Sequence, residues 1–311
     1  MVKPVVGVIG LGIMGGAMAE ALLKAGYSVC GFDVVAAACR RLKQAGGRPL
    51  KSPAQVAEQA DLVIVSLSTT EALQSVVEGI CASQVNKDAK KIVIETSTLP
   101  LSDKEDAYKK LKRKGIDVLD CPISGTAVRM KERAWTVFVS GSKSSAKRVD
   151  DVLRVFTDKV PYVGVYGNGT KMKFSANHLV AIYNVACAEA VNLARKMGLD
   201  PQDVLDMFGN SPIIGTGVMR LRMPFMIERA YSPPTMKVEV WQKDMQVIGD
   251  LAKSVDCPTP LFTTCASIYT AAMAQGLAQQ DTASVSEVLA NMAGVPARQS
   301  VRKARRTPKV V

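Results

Sequence analysis

Short apolar runs alternate with amphipathic stretches along the first half of the chain. The runs are "PVVGVIG", "YSVCGFD", "DLVIVSL", "KIVIET", "DVLDCPI", "WTVFVSG" and "VPYVG". Between them lie stretches with helical spacing of apolar residues, such as 13–25, 70–84 and 100–113. The runs are rich in β-branched residues and hardly alternate with polar ones, as strands buried on both faces do. Separated by helices, they predict a parallel sheet covered on both sides. A doubly wound α/β domain is therefore expected over 1–164.

The pattern changes after Gly169. "KMKFSANHLVAIYNVACAEAVNLARKM", from Lys171 to Met197, contains neither Pro nor Gly and keeps a helical period. Further helices are expected near 201–210, 236–254, 260–275 and 284–293, the last opened by a capping box of Ser284 and Glu287. No strand-like run of similar quality follows, so a mostly α-helical C-terminal domain is expected over 165–297. The joint is the Gly-bearing "VGVYGNGT".

Composition narrows the class. With 311 residues, 48% apolar and 22% charged, the chain can build two cores. The apolar N-terminal stretch is too Gly-rich for a signal peptide and too short to span a bilayer, so a cytoplasmic protein without a membrane partner is expected. Seven scattered cysteines without a C-x-x-C, and a single histidine (His178), fit neither a disulfide framework nor a metal site. The net charge of +12 suggests nucleic acid at first. Six of the basic residues (Arg298, Arg302, Lys303, Arg305, Arg306, Lys309) lie in an acid-free tail over 298–311, however. Such a run reads as a solvated end, and nucleic acid is not expected as a partner.

Five glycines fall within ten residues: Gly7, Gly10, Gly12, Gly15 and Gly16. Glycine weakens strands and helices, so the cluster calls for another reason. The order is strand, then Gly10-Leu11-Gly12-Ile13-Met14-Gly15, then helix. This is the turn in which the first glycine allows a tight bend, the second admits a pyrophosphate, and the third lets the helix pack on the strand. The free amides and positive dipole end of that helix would face the phosphates. Asp33 ends the next apolar run at about the ~20-residue spacing of an acid that binds a ribose 2′-hydroxyl. Together these features predict a Rossmann-type sheet that binds NAD. NADP remains possible, because Arg40 and Arg41 follow in the next helix.

Hydride transfer at a nicotinamide needs a partner for the hydroxyl proton. Lys173 and Asn177 are four residues apart on the long predicted helix, hence on one face, and at the domain joint they would point into a cleft. Desolvation, or repulsion from Lys171, could bring a lysine towards the pKa of about 7–8 that suits acid–base work.

At this point the chain resembles a family, the β-hydroxyacid dehydrogenases, which include 3-hydroxyisobutyrate dehydrogenase and tartronate semialdehyde reductase. Four motifs in order carry the resemblance: "GVIGLGIMG", "DCPISG", "GNGTKMKFSAN" and "WQKDMQ". It implies that Lys173 is the catalytic proton donor and acceptor, and that Asn177 orients it and the substrate. It further implies that Ser124, Gly125 and Thr126 receive the substrate carboxylate. Thr98, the backbone at Leu67, and Lys243 would contact the cofactor; Asp244 reads as structural. Taken singly, Ser124 is a turn hydroxyl, Thr98 a cap for the helix after Pro100, and Lys243 a surface charge. Cys121 reads as a packed small residue rather than a nucleophile.

Three departures surround the substrate loop. Thr126 stands where the family usually has Gly, Arg133 at another position that is often Gly, and Ala176 where Asn is common. They leave the choice of acid open. The expected function is oxidation or reduction between a short β-hydroxy carboxylate and its semialdehyde or keto form, in a homodimer or homotetramer. The alternatives are an imine reductase of the same architecture, or a cofactor-fold protein that binds nucleic acid through its basic tail.

Overall fold

The computed structural model describes residues 3–84, 90–125, 130 and 132–296. The chain forms two compact units, Met1–Ala176 and Asn177–Val311.

The first unit begins with β1 (Val6–Ile9), α1 (Ile13–Lys24), β2 (Val29–Phe32), α2 (Ala36–Gln44), β3 (Arg48–Pro49) and α3 (Pro53–Gln59). It continues with β4 (Leu62–Val65), α4 (Thr70–Cys81), β5 (Ile92–Glu95), α5 (Leu101–Arg113) and β6 (Asp117–Asp120). These six strands form one parallel sheet in the order β3-β2-β1-β4-β5-β6. The chain runs outward from β1 to β3 and then returns to place β4 on the other side of β1. That reversal is where open α/β sheets bind ligands, beyond the carboxyl ends of the strands.

Strand periodicity divides the core between two faces. Val6, Val8, Leu62, Ile64, Ile92 and Ile94 pack on one side with Met18 and Leu22 of α1. Ile9, Val63, Val65 and Val93 pack on the other with Val56, Leu73 and Leu111. Both faces are buried, which is why β1, β4 and β5 tolerate almost no polar residue. Register pairs the last residues of five strands into one row, Phe32, Ile9, Val65, Glu95 and Asp120. The segments that carry Gly10, Asp33, Leu67, Thr98 and Ser124 start beyond this row.

A short antiparallel pair, β7 (Ile123–Ser124) with β8 (Thr136–Val137), follows the sheet, and then comes α6 (Lys143–Leu153). "VPYVG" forms no strand, contrary to its pattern. It contributes only the isolated bridge of Val139 with Tyr162. Pro161 has no N–H, so that segment can give only a carbonyl at this position, which accepts from Val139 at 2.9 Å.

The long helix is α7 (Asn168–Lys196), and the second unit takes over within it at Asn177. Then follow α8 (Pro201–Phe208), α9 (Gly217–Glu228), α10 (Val238–Ser254), α11 (Pro260–Ala274), a 3-10 turn Thr282–Ser284 and α12 (Val285–Met292). No helix among the described residues is long and apolar enough to cross a membrane.

The Ser284–Glu287 capping box does not form. Ser284 sits in helical conformation with a buried, unbonded hydroxyl, and Glu287 accepts from Tyr231 instead. Asp281 does the capping three residues earlier, accepting from the Ala283 amide at 3.0 Å. Its carboxylate also binds Arg222 at 2.5 Å and the Thr235 amide at 2.7 Å, all in the core of the second unit. Burial alone would raise the Asp281 carboxyl. The Arg222 guanidinium and the amides of Ala283 and Thr235 outweigh that and hold it below the ordinary carboxylate range.

Candidate active site

The glycine turn is built as its spacing predicts. Gly10 has φ +86°, and a Cβ there would lie 2.1 Å from the Ser66 carbonyl oxygen. A Cβ on Gly15 would lie 1.8 Å from the Gly10 carbonyl oxygen, so only glycine lets α1 start this close to the strand. A Cβ on Gly12 would meet nothing within 4 Å. Gly12 is the N-cap of α1 and makes no side-chain cap bond. The first amides of α1, at Ile13, Met14 and Gly15, have no acceptor within the helix and give onto the open space beside Gly12. Room, unpaired donors and the dipole end suit a diphosphate, so these residues fit a dinucleotide. Leu11 is core, whereas Ile13 is exposed.

Asp33 lies just past β2 and closes the turn. One carboxylate oxygen accepts the Leu11 amide at 2.6 Å and the other the Val35 amide at 2.7 Å. Each oxygen keeps a second lone pair for a ribose hydroxyl. Val34 and Val35 beside it are exposed and offer no cation for a 2′-phosphate; Arg40 and Arg41 are exposed on α2.

The Leu67 amide, just past β4, donates to the Ser97 hydroxyl at 2.9 Å. That bond ties the segment after β4 to the segment after β5, where Thr98 lies half-buried. The N-cap position of α5 is Pro100, two residues after Thr98.

Ser124 is half-buried and pairs with Thr136 across β7 and β8. The next residue, Gly125, has φ +146°, and a Cβ there would lie 2.4 Å from the ring of buried Trp135. Thr126 lies outside the described residues. Arg133, which the sequence puts next to the substrate loop, engages the segment that follows α6. It adopts φ +53°, a left-handed conformation that suits Gly. Its guanidinium binds Asp158 at 2.6 Å and the Arg154 carbonyl at 2.9 Å. Cys121 is fully buried, and burial pushes its thiol well above the ordinary range, so it is no nucleophile. All seven cysteines are free thiols.

Lys173 sits in the second turn of α7 and is buried. The start of that helix is docked tightly on backbone. A Cβ on Gly169 would lie 2.7 Å from the carbonyl oxygens of Asp120 and Phe138. The Gly169 amide donates to the Ser140 hydroxyl at 3.0 Å, and the Thr170 amide to Asp120 at 2.7 Å. Asp120, the first residue of "DCPISG" but given no role there, and Ser97, which lies outside the four motifs, thus tie these segments together. The legible signal was an acid at the end of an apolar strand.

In the second unit, Asn177 is buried and its amide NH2 donates to Asp244 at 2.9 Å. That bond settles which way the Asn177 amide faces, so Asp244 has an orienting role beyond packing. Lys243 is half-buried, 3.7 Å from Asp244. Asn177 follows Lys173 by one turn of the same helix. His178 stacks on Phe262. No group of three His, Cys, Asp or Glu side chains among the described residues could hold a metal ion.

Comparison with known proteins extends this picture over nearly the whole chain. Residues 5–164 match the family described as the NAD binding domain of 6-phosphogluconate dehydrogenase. Residues 167–289 match the one described as NAD-binding of NADP-dependent 3-hydroxyisobutyrate dehydrogenase. The chain is 29% identical to L-threonate dehydrogenase of Cupriavidus necator over 284 residues, which are 91% of this chain and 95% of the relative. It is 30% identical to human mitochondrial 3-hydroxyisobutyrate dehydrogenase over 296 residues, 92% of this chain and 87% of the relative. Among solved structures, the Mycobacterium tuberculosis 3-hydroxyisobutyrate dehydrogenase with L-serine superposes with a TM-score of 0.83 at 25% identity. That match covers 93% of this chain and 99% of that one.

Proposed function

The chain belongs to the β-hydroxyacid dehydrogenase family and is an NAD(P)-dependent oxidoreductase, and on that premise we propose its substrate and the roles of its residues. The substrate is a short β-hydroxy carboxylate, converted to its semialdehyde or keto form or formed from it. 3-Hydroxyisobutyrate, tartronate semialdehyde and L-threonate are the first candidates. The bound nicotinamide dinucleotide supplies or takes the hydride.

Lys173 handles the proton. It gives one to the carbonyl oxygen during reduction and takes it back from the hydroxyl during oxidation. Its burial in the second turn of α7 is the observation that carries this reading. Asn177, turned by its bond to Asp244, offers its carbonyl oxygen to the substrate hydroxyl or to the lysine. Ser124 and Gly125 receive the carboxylate through a hydroxyl and backbone amides, with Thr126 continuing that loop. Gly10, Leu11, Gly12, Ile13, Met14 and Gly15 hold the diphosphate. Asp33 holds the adenosine ribose and favours NAD over NADP, since its carboxylate accepts from hydroxyls and repels a 2′-phosphate. Leu67, Thr98 and Lys243 flank the nicotinamide end.

We further propose a homodimer or homotetramer built through the helical domain, 165–297, and acting in the cytoplasm. Exposed apolar side chains of the second unit support the oligomer, among them Leu193, Met197, Leu199 and Met292. Leu193 and Met292 also line a groove of about 330 Å³.

The test follows NADH and NADPH absorbance with a panel of C3–C5 hydroxy acids and semialdehydes, beside a panel of cyclic imines. Turnover of hydroxy acids with a preference for NAD is expected. Reduction of the imines alone would replace this reading with an imine reductase.

A further inference from the structure

Three charged side chains are buried together in the first unit. Glu95 ends β5, Asp120 ends β6, and Lys104 comes from α5; their exposures are 2%, 0% and 0%. The Lys104 ammonium lies 2.6 Å from Glu95 Oε2 and 2.6 Å from Asp120 Oδ1. It also donates to the Ser97 carbonyl at 3.0 Å and the Thr170 hydroxyl at 2.7 Å. Burial pulls the ammonium down, and the two carboxylates more than reverse it, so Lys104 stays charged.

Such a cluster is poorly explained by stability. Well-packed apolar residues of the same volume commonly serve a core as well or better, because burying charges carries a large desolvation cost. What an ion cluster adds is direction, since each bond fixes an angle as well as a distance.

The bonds lead to three of the segments of the first unit that carry candidate site residues. Asp120 accepts both the amide and the hydroxyl of Thr170 at 2.7 Å, three residues before Lys173. Its own strand leads four residues later to Ser124. Glu95 accepts the Ser97 amide at 2.8 Å. Ser97 precedes Thr98, and its hydroxyl takes the Leu67 amide.

We propose that Lys104 is a positioning residue for the redox reaction, the hub that fixes the spacing of the Lys173 turn, the Leu67–Thr98 segment and the Ser124 loop. The inference rests on Lys173 being the proton-transfer group. Displacing a reacting group by about 1 Å costs roughly a hundredfold in rate. Loss of the hub therefore lowers kcat while the dinucleotide, held at the glycine turn, still binds.

The experiment uses the full-length enzyme and the fastest acid of the hydroxy-acid panel. Thr170→Val is close to isosteric and removes only the hydroxyl between Lys104 and α7; Thr170→Ser restores it. Lys104→Met combined with Glu95→Gln removes the hub and leaves the cluster's net charge unchanged, with Asp120 still accepting from Ser140 and Thr170. The kcat is therefore taken per folded enzyme, and Thr170→Val keeps the proposal testable should this variant fail to fold. Thr170→Val and the double variant are expected to lose roughly tenfold to a hundredfold in kcat per folded enzyme. Their NADH dissociation constants should stay within about threefold, and the isotope effect with substrate deuterated at the carbinol carbon should rise. Thr170→Ser should recover most of kcat. Amides 170–176 should exchange with deuterium faster in both deficient variants, a readout that needs no substrate. Unchanged kcat per folded enzyme in Thr170→Val and the double variant overturns the proposal, as does unchanged exchange. A wild-type enzyme inert to the whole panel, or a Lys173→Ala variant of normal kcat, overturns instead the reading on which it rests.

Discussion

Asp33 takes the Leu11 amide at 2.6 Å, so the acid beyond β2 clasps the glycine turn beyond β1. One carboxylate thus serves two ends: it shapes the phosphate turn and presents acceptors to a ribose. Asp33→Ala removes both. Hydrogen bonds to a charged group contribute about 1.5–3 kcal/mol, so NADH affinity should fall roughly tenfold to a hundredfold. NADPH affinity should fall less, because a repulsion disappears with the acid. Fluorescence titration with the two cofactors checks both numbers.

The glycines of the turn should separate folding from binding. Gly12→Val puts a side chain where nothing lies within 4 Å, so the melting temperature should move by only a few degrees while the dinucleotide loses at least ~10-fold in affinity. Gly10→Ala meets a carbonyl oxygen at 2.1 Å in a left-handed conformation that alone costs an L residue about 1–2 kcal/mol. It should unfold several degrees earlier. Thermal melts with and without NADH distinguish the pair.

Lys173→Ala should lower kcat by roughly 10²–10⁴-fold, the usual contribution of a positioned acid–base group. NADH binding should stay within a few-fold of wild type, since no part of the glycine turn is touched. Single-turnover absorbance and cofactor titration on the same preparation would separate chemistry from binding.

In the second unit, Asp281 should govern acid stability. Its carboxyl titrates below the ordinary range when folded, so the stability it confers is complete above the unfolded value of about 4 and is lost as pH falls through the folded value. Asp281→Asn leaves Arg222 buried without its charge partner and should cost about 3–5 kcal/mol at neutral pH. The gap between variant and wild type should narrow towards pH 3. Urea melts of the second unit's tryptophan signal (Trp241) across that range provide the check.

How much of this could be read in the sequence depended on where the side chains point. β1, β4 and β5 were legible because strands buried on both faces leave an unbroken apolar run, and the glycine turn because three glycines have three separate steric duties. α2 and α6 were not. α2 buries only Ala38 and Leu42, so its apolar period is too sparse to stand out. Lys104 lies among the charges of "LSDKEDAYKKLKR", and nothing in that pattern separates it from exposed neighbours such as Lys109. Its burial depends on partners brought in from β5, β6 and α7. Arg133, which stands where the family often has Gly, was read beside the substrate loop, but its guanidinium bonds Asp158, a pairing between distant positions that no local pattern announces. The capping box failed because Asp281, three residues upstream of Ser284, already satisfied the turn.

Gly169 limits how a protein of this kind can diverge. With two carbonyl oxygens 2.7 Å from the place of any Cβ, the position accepts no other residue without lifting α7 from its seat. The backbone at Arg133 has already accommodated a large side chain by folding it outward. A randomised library selected for a new acid would therefore return varied residues around 133 and glycine alone at 169.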